Sequence, residues 1–195
     1  MDKIIKTQTT IALKLLLVMT VLTGVIYPFF MTGVAQLVFP ARANGSLIIK
    51  DKKIAGSELI GQKFDSSIYF WSRPSAIEYN PVPSGASNLS PTSDKLKKQV
   101  TERRKLFAIS NLIADSSSIP KEMIFASASG LDPHISPEAA ILQLDRIVKY
   151  RGFNFTQKRR IENLIDSLTE SPQLYLFGEK RINVFLLNLS LDQIK

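Results

Sequence analysis

Hydrophobic and polar positions are spread very unevenly along this chain. From Leu15 to Ala41, 27 consecutive residues carry no charge and 19 of them are hydrophobic. A bilayer-spanning helix needs about 20 apolar residues, whereas a secretory signal core needs only about 7–15. The run therefore predicts a membrane-spanning helix. Ala41-Arg42-Ala43 also fits a small-x-small cleavage pattern, so removal of the segment stands as the alternative. Pro28 predicts a kink, tolerated only where other groups satisfy the carbonyl it leaves without a donor. Thr20 and Gly24 stand four apart and place two small residues on one face, where another membrane helix could approach closely. Lys3, Lys6 and Lys14 precede the helix against Asp2 alone, which favours a cytoplasmic N-terminus. Arg42, Lys50, Lys52 and Lys53 follow it and nearly balance that count.

Beyond the helix the pattern changes period. Ser46-Leu47-Ile48-Ile49 reads as a strand, Lys50-Asp51-Lys52-Lys53 as a turn and Ile54 as the start of a return strand, with Leu59-Ile60-Gly61 following. Residues 65–92 are rich in Ser, Pro, Asn and Gly and predict one long loop, which either binds something or covers the core. Thr92-Ser93-Asp94 can cap a helix in which Leu96, Val100, Arg103 and Phe107 form a narrow inward stripe. Pro120 opens a shorter helical stretch through Phe125 towards Gly130. Ser136-Pro137-Glu138 starts a helix through Ala139, Ile141, Leu144 and Val148 that stops near Arg151-Gly152. Another begins at Thr156, carries Ile161, Leu164, Ile165 and Leu168 on one face, and ends before Pro172. The run Ile182–Leu189 reads as a β-rich segment. Strands at both ends with helices between predict an α+β domain on one N-terminal transmembrane helix. The expected boundaries are a short cytoplasmic N-terminus over 1–10, the helix over 11–38 and an extracytoplasmic domain over 39–195.

Composition then narrows the chemistry. The 195 residues include no cysteine and one histidine, which excludes a disulfide scaffold, a thiol nucleophile, a cysteine-ligated metal and a multi-histidine site within one chain. The net charge of +8 raises nucleic acid or anionic lipid as partners. Past Arg42 the balance is 21 basic to 16 acidic residues. Its clusters, Lys95/Lys97/Lys98, Arg103/Arg104/Lys105 and Lys158/Arg159/Arg160, lie on or beside polar helix faces without interleaved aromatics. They read as solvated faces, with attraction to anionic headgroups or an acidic partner as the alternative, not as a nucleic-acid site.

Two motifs invite a chemical reading. Ser127, Ser129, Asp132 and His134 are residue types of a nucleophilic triad, but a triad is set by geometry and no Gly-x-Ser-x-Gly elbow is present. A polar turn that bonds its own backbone is the expectation, and no residue is assigned a catalytic role. Ser84, Gly85 and Ser87 sit in a small-residue loop that could offer N–H groups to a phosphate, though it lacks the Lys-Ser/Thr pair of a P-loop. No metal or cofactor site emerges from the residues. A non-catalytic anchored domain is expected, with an anchored binding module for a small molecule or envelope component as the second reading.

Several phrases in fixed order carry a resemblance. They are Gly24-Val25-Ile26-Tyr27-Pro28, Ala43-Asn44-Gly45-Ser46-Leu47-Ile48, Gly56-Ser57-Glu58-Leu59-Ile60-Gly61-Gln62-Lys63-Phe64, Tyr69-Phe70-Trp71-Ser72-Arg73-Pro74-Ser75-Ala76 and Tyr79-Asn80-Pro81. Ser84-Gly85-Ala86-Ser87-Asn88-Leu89, Ser127-Ala128-Ser129-Gly130-Leu131-Asp132-Pro133-His134-Ile135-Ser136-Pro137 and Asn183-Val184-Phe185-Leu186-Leu187-Asn188-Leu189 follow. Over nearly its whole length the chain resembles the C subunit of the bacterial Kdp high-affinity potassium-transporting ATPase. The resemblance implies a single-span, non-catalytic subunit of the cell (inner) membrane. Its partners would be a channel-like potassium-translocating subunit, a P-type ATPase catalytic subunit and a small accessory peptide. It also implies a chaperone-like role in assembly or in raising ATP affinity, with ATP reached only through the complex and the soluble domain lying outside over the potassium entrance. ATP binds on the opposite side, so such an effect would be a coupling free energy between distant sites. Thr20, Gly24 and Pro28 are the expected helix-docking residues, and Arg73, Asn80 and Asp132 the expected partner interface. Two positions depart from the family pattern: Gly85-Ala86 where two glycines are common, and Phe125 where a small polar residue is common.

Overall fold

The computed structural model describes residues 2–50 and 52–194. The chain forms two compact units, one through Ala55 and one from Gly56 onward. In the first, helix α1 (Asp2–Val21) passes through a π-helical turn (Leu22–Ile26) into α2 (Tyr27–Val38). Residues Lys3–Val38 form a helix long and apolar enough to cross a membrane, and none of its most apolar stretch is buried within the protein. The kink expected at Pro28 takes the form of that π turn. Proline lacks an N–H and crowds the carbonyl four residues back, and the wider register, with the Tyr27 N–H donating to the Leu22 carbonyl, makes room. The Thr23 hydroxyl donates to the Met19 carbonyl at 2.7 Å and the Thr32 hydroxyl to that of Pro28 at 2.8 Å, supplying further donors beside the irregularity.

A single turn, α3 (Pro40–Ala43), leads into β1 (Leu47–Lys50) and β2 (Lys53–Ser57), a two-stranded hairpin as predicted. Asp51, within the predicted turn, lies outside the described residues.

The second unit is built on helices. α4 (Asp94–Ser110) turns Phe107 fully inward with Leu96, Val100 and Arg103 half-buried along the predicted stripe. The expected side-chain cap is not made: Ser93 holds the N-cap position without a hydrogen bond from its hydroxyl. Of the helix predicted after Pro120 only one 3₁₀ turn forms (Lys121–Met123), following another at Ser116–Ser118. α5 (Pro137–Arg151) begins as predicted, with the Ser136 hydroxyl accepting from the Ala139 N–H at 3.1 Å, and ends at Gly152 in the left-handed region, φ 66°. Its inward face is Ala139, Ala140, Gln143, Leu144, Arg146 and Ile147, while Ile141 points out. α6 (Phe155–Leu168) is closed by a capping box that the sequence reading missed, in which Asn154 and Gln157 satisfy each other's backbone N–H groups at 2.9 and 2.8 Å.

The C-terminal segment is corrected. Only Ile182–Asn183 is strand (β4), paired antiparallel with β3 (His134–Ile135), and Val184–Leu191 is helix α7. The Asn183 carboxamide oxygen accepts from the Phe185 and Leu186 N–H groups at 3.0 and 3.2 Å and so starts the helix. A run apolar on every side fits a buried helix as well as a strand. Val184, Phe185, Leu187, Asn188 and Leu191 are buried, and 184, 187, 188 and 191 are related by the three- and four-residue spacings of one helix face. The domain is thus a mixed helix and strand structure in which the sheets are minimal. Its core joins Ile147, Ile161, Ile165, Leu187 and Leu191 to Phe70 from the long loop.

Candidate functional site

The loop predicted over 65–92 contains no helix or strand, yet the backbone N–H and carbonyl groups of Phe70 and Trp71 are all hydrogen-bonded. Its partners are side chains in place of a backbone ladder. The Asn188 carboxamide accepts from the Phe70 N–H at 2.8 Å and donates to the Phe70 carbonyl at 2.9 Å. The Gln143 carboxamide treats Trp71 the same way, at 2.7 and 3.4 Å. Arg146 completes the clamp. Its guanidinium donates to the carbonyls of Ser67 (2.7 Å), Tyr69 (2.9 Å) and Ser66 (3.3 Å) and to the side-chain oxygens of Asn111 (2.8 Å) and Gln143 (2.9 Å). It also lies 4.4 Å from the centre of the Trp71 ring.

Arg146 is 1% exposed, and its acceptors are all neutral. Burial pulls its pKa down to about 10. Such a charge is tolerable because its donors are met by carbonyl and amide oxygens. The sequence reading gives no role to Gln143, Arg146, Asn188 or Asn111, although the first three leave a trace in it. Gln143 and Arg146 continue the helical face of Ala139, Ala140 and Ile147, and Asn188 interrupts an otherwise apolar run.

This clamp delivers Arg73 to Asp132. The two form an ion pair at 2.6 Å. The same carboxylate accepts from the His134 backbone N–H at 3.0 Å and lies 3.4 Å from the His134 Nδ1. Burial alone would raise the Asp132 pKa, but the His134 hydrogen bonds and the Arg73 guanidinium outweigh it and hold the carboxyl near 2. Tyr79 closes the turn from the other side, its hydroxyl donating to the Arg73 carbonyl, and burial pushes its pKa up to about 12. Two glycines permit the packing. A Cβ on Gly61 would stand 2.6 Å from the Asp132 carbonyl oxygen, and one on Gly130, already at φ +71°, would meet the Ile77 side chain at 2.5 Å.

Of the three predicted interface residues, then, Arg73 and Asp132 are brought together and Asn80 is not. Asn80 is exposed, and its side chain accepts from the Val82 N–H at 3.1 Å within its own turn. In the small-residue loop, the Gly85 N–H donates to the Ser129 carbonyl at 3.2 Å, so that donor is engaged within the domain. Ser84 and Ser87 are exposed. The Ser129 hydroxyl accepts from the Leu131 N–H at 3.1 Å, and the Ser127 N–H donates to the Pro74 carbonyl at 3.2 Å. The Ser/Asp/His cluster therefore includes the self-bonding turn that its composition predicted. Thr20, Gly24 and Pro28 are exposed on the long helix, and the space over Gly24 is open. Among the described residues no group of His, Asp and Glu is arranged to hold a metal ion.

A cavity of about 450 Å³ opens beside the clamp, lined by Trp71, Arg73, Tyr79, Arg103, Leu106 and Phe107 among others. It is mostly apolar, with two guanidinium groups at its wall. Among the described residues the Arg73 Nε is buried without a hydrogen-bond partner, and the Arg103 guanidinium donates to the Ile124 carbonyl at 3.3 Å. This suits an interface more than a reaction centre, since apolar surface and under-used cationic donors are the materials of recognition.

Known proteins give the arrangement its context. A family profile described as "KdpC: K+-transporting ATPase, c chain" matches residues 9–193. A protein of Leptospira interrogans is 45% identical over 94% of this chain and 92% of its own length. One of Polaromonas naphthalenivorans is 46% identical over 94% and 93%. One of Caldanaerobacter subterraneus is 44% identical over 94% of each. All three are named potassium-transporting ATPase KdpC subunits.

Proposed function

This chain belongs to the KdpC family of K+-transporting ATPase c chains, and from that premise we propose that it is a non-catalytic accessory subunit of an ATP-driven potassium-uptake complex. The observation that carries the reading is the match over residues 9–193, which spans the long apolar helix and the folded domain together. In this reading the helix crosses the cell membrane once, over roughly 11–38, with residues 1–10 in the cytoplasm and 39–195 outside. The exposed face bearing Thr20, Gly24 and Pro28 packs against a helix of a partner, where small residues allow close approach. The domain meets the channel-like subunit through the surface around Arg73, Asp132 and Asn80.

Assembly and ATP affinity are linked in this scheme by mass action. A subunit that binds one conformation of the complex better than another shifts the population towards it by its differential affinity and by no more. ATP need not touch this chain. The P-type ATPase subunit, the channel-like subunit and a small accessory peptide are the partners, with bilayer lipid around the helix.

The test is growth on limiting potassium. A strain lacking this subunit fails to grow at micromolar potassium, and the full-length chain restores growth. A chain truncated after residue 44 restores the membrane helix alone and does not. Rescue by the truncated chain would remove the domain from the function. Protease added to the outer face of the membrane degrades 45–195 in this topology, and protection there would reverse the orientation.

A further inference from the structure

Between α6 and β4 the chain folds into a narrow antiparallel arm. Glu170 and Arg181 pair at its base through both backbone groups, at 2.8 and 3.2 Å, and through an ion pair at 2.9 Å. Nearer the tip, Gln173 and Phe177 pair through both backbone groups at 2.9 Å. The turn itself is Leu174-Tyr175-Leu176, followed by Phe177. These four side chains are 80%, 87%, 81% and 65% exposed. Leu174 and Tyr175 both adopt left-handed backbone, φ 53° and 59°, positions that tight hairpins ordinarily fill with Asn-Gly. Here bulky apolar residues occupy two consecutive left-handed positions and stand largely open to solvent.

We propose that this tip is a wedge that enters the lipid interface of the membrane in which the chain is anchored. The proposal rests on the reading that the apolar helix spans that membrane. Four features point to lipid. The turn leaves four consecutive apolar side chains open on the outside of the arm, none of them covered by the domain itself. A protein surface laid against the arm covers one side, whereas lipid surrounds it. Tyrosine, phenylalanine and leucine are suited to the boundary, where a ring or alkyl group is buried and a hydroxyl stays wet. Glu170, Glu179, Lys180 and Arg181 sit at the base, where headgroups and water would meet them. Finally, the segment 39–55 that joins the apolar helix to the second unit spans at most about 60 Å at full extension, so the anchored domain never leaves the bilayer's neighbourhood.

The chain lacks cysteine, which permits single-site labelling of the whole protein. Tyr175→Cys, Val25→Cys and Asn163→Cys are each labelled with a polarity-sensitive fluorophore and reconstituted in phosphatidylglycerol/phosphatidylcholine vesicles containing doxyl lipid. The label at 175 is expected to shift to the blue and lose most of its emission to doxyl lipid, while the label at 163, on the exposed face of α6, loses none. Adding Leu174→Ser and Leu176→Ser abolishes the shift at 175, which separates the tip's own affinity from that of the dye. Unshifted emission at 175 that aqueous iodide quenches overturns the proposal. So does protection from both iodide and lipid that arises only when the other subunits are co-expressed, because that result assigns the tip to a protein socket. The label at 25 reports the span independently: absence of lipid quenching there refutes the anchor whatever happens at the tip.

Discussion

The long N-terminal helix and the clamp around Phe70 and Trp71 are opposite solutions to one problem, the satisfaction of backbone polar groups. The helix satisfies its groups within its own segment and turns Leu15, Leu16 and Leu17 outward, 61–65% exposed, so its fit depends on an apolar surrounding. The clamp has no internal ladder at all. It borrows donors and acceptors from Asn188, Gln143 and Arg146, which lie 72–118 residues away in the chain or nearly so. One region is local and tolerant of side-chain exchange. The other is non-local, and each of its polar groups has a specific counterpart.

That contrast orders the expected effects of mutation. Arg146→Met is the most severe, because it removes five hydrogen bonds at once, among them the donors to the Ser67 and Tyr69 carbonyls and to the Asn111 side-chain oxygen. Leaving a buried acceptor without its donor costs about 1–3 kcal/mol each, and chemical denaturation of the full chain in mild detergent is expected to show the summed loss or no folded domain. Asn188→Leu follows, with about 1–3 kcal/mol for each stranded Phe70 group. Unchanged stability in either variant would mean that the loop is held by packing alone.

Asp132→Asn is expected to cost about 2 kcal/mol, a value scaled from a carboxyl held near 2 in the fold against its ordinary value near 4. The sign follows from linkage. A depressed carboxyl contributes its full stabilisation above about pH 4 and loses it as pH falls through about 2. The wild-type domain should therefore weaken across that window by more than the variant does. Parallel acid limbs would remove the Arg73–Asp132–His134 arrangement as a stabilising element.

Smallest of all is Gly24→Leu. The space over Gly24 is open, so the domain's unfolding should move by less than about 0.5 kcal/mol. Recovery of the intact complex should nevertheless fall if that face packs against a partner helix. A domain destabilised by this change would break the division between the two regions.

Legibility from sequence divides along the same line. The apolar helix, the β1–β2 hairpin and the Ser136-Pro137 start of α5 follow from residues adjacent in the chain, and each was readable. So was the inward stripe ending at Phe107. The segment after Asn183 was not, because Val184–Leu191 is apolar on nearly every side and its periodicity favours neither helix nor strand. The capping asparagine was the available clue. The pairing of Arg73 with Asp132 was not derivable from spacing, since 59 residues separate them, although both stood among the expected interface residues. The clamp escaped for a related reason: Gln143 and Arg146 on a core face read as polar interruptions until the loop carbonyls that they meet are in place.

The central claim is that this chain works as a bound subunit and not alone. Its most direct test is purification of the tagged full-length chain from gently solubilised membranes of potassium-starved cells, followed by identification of what remains with it. A stoichiometric P-type ATPase together with a multi-span potassium-translocating subunit is the expected result. Elution of the folded chain by itself, from membranes that contain both of those proteins, would contradict it.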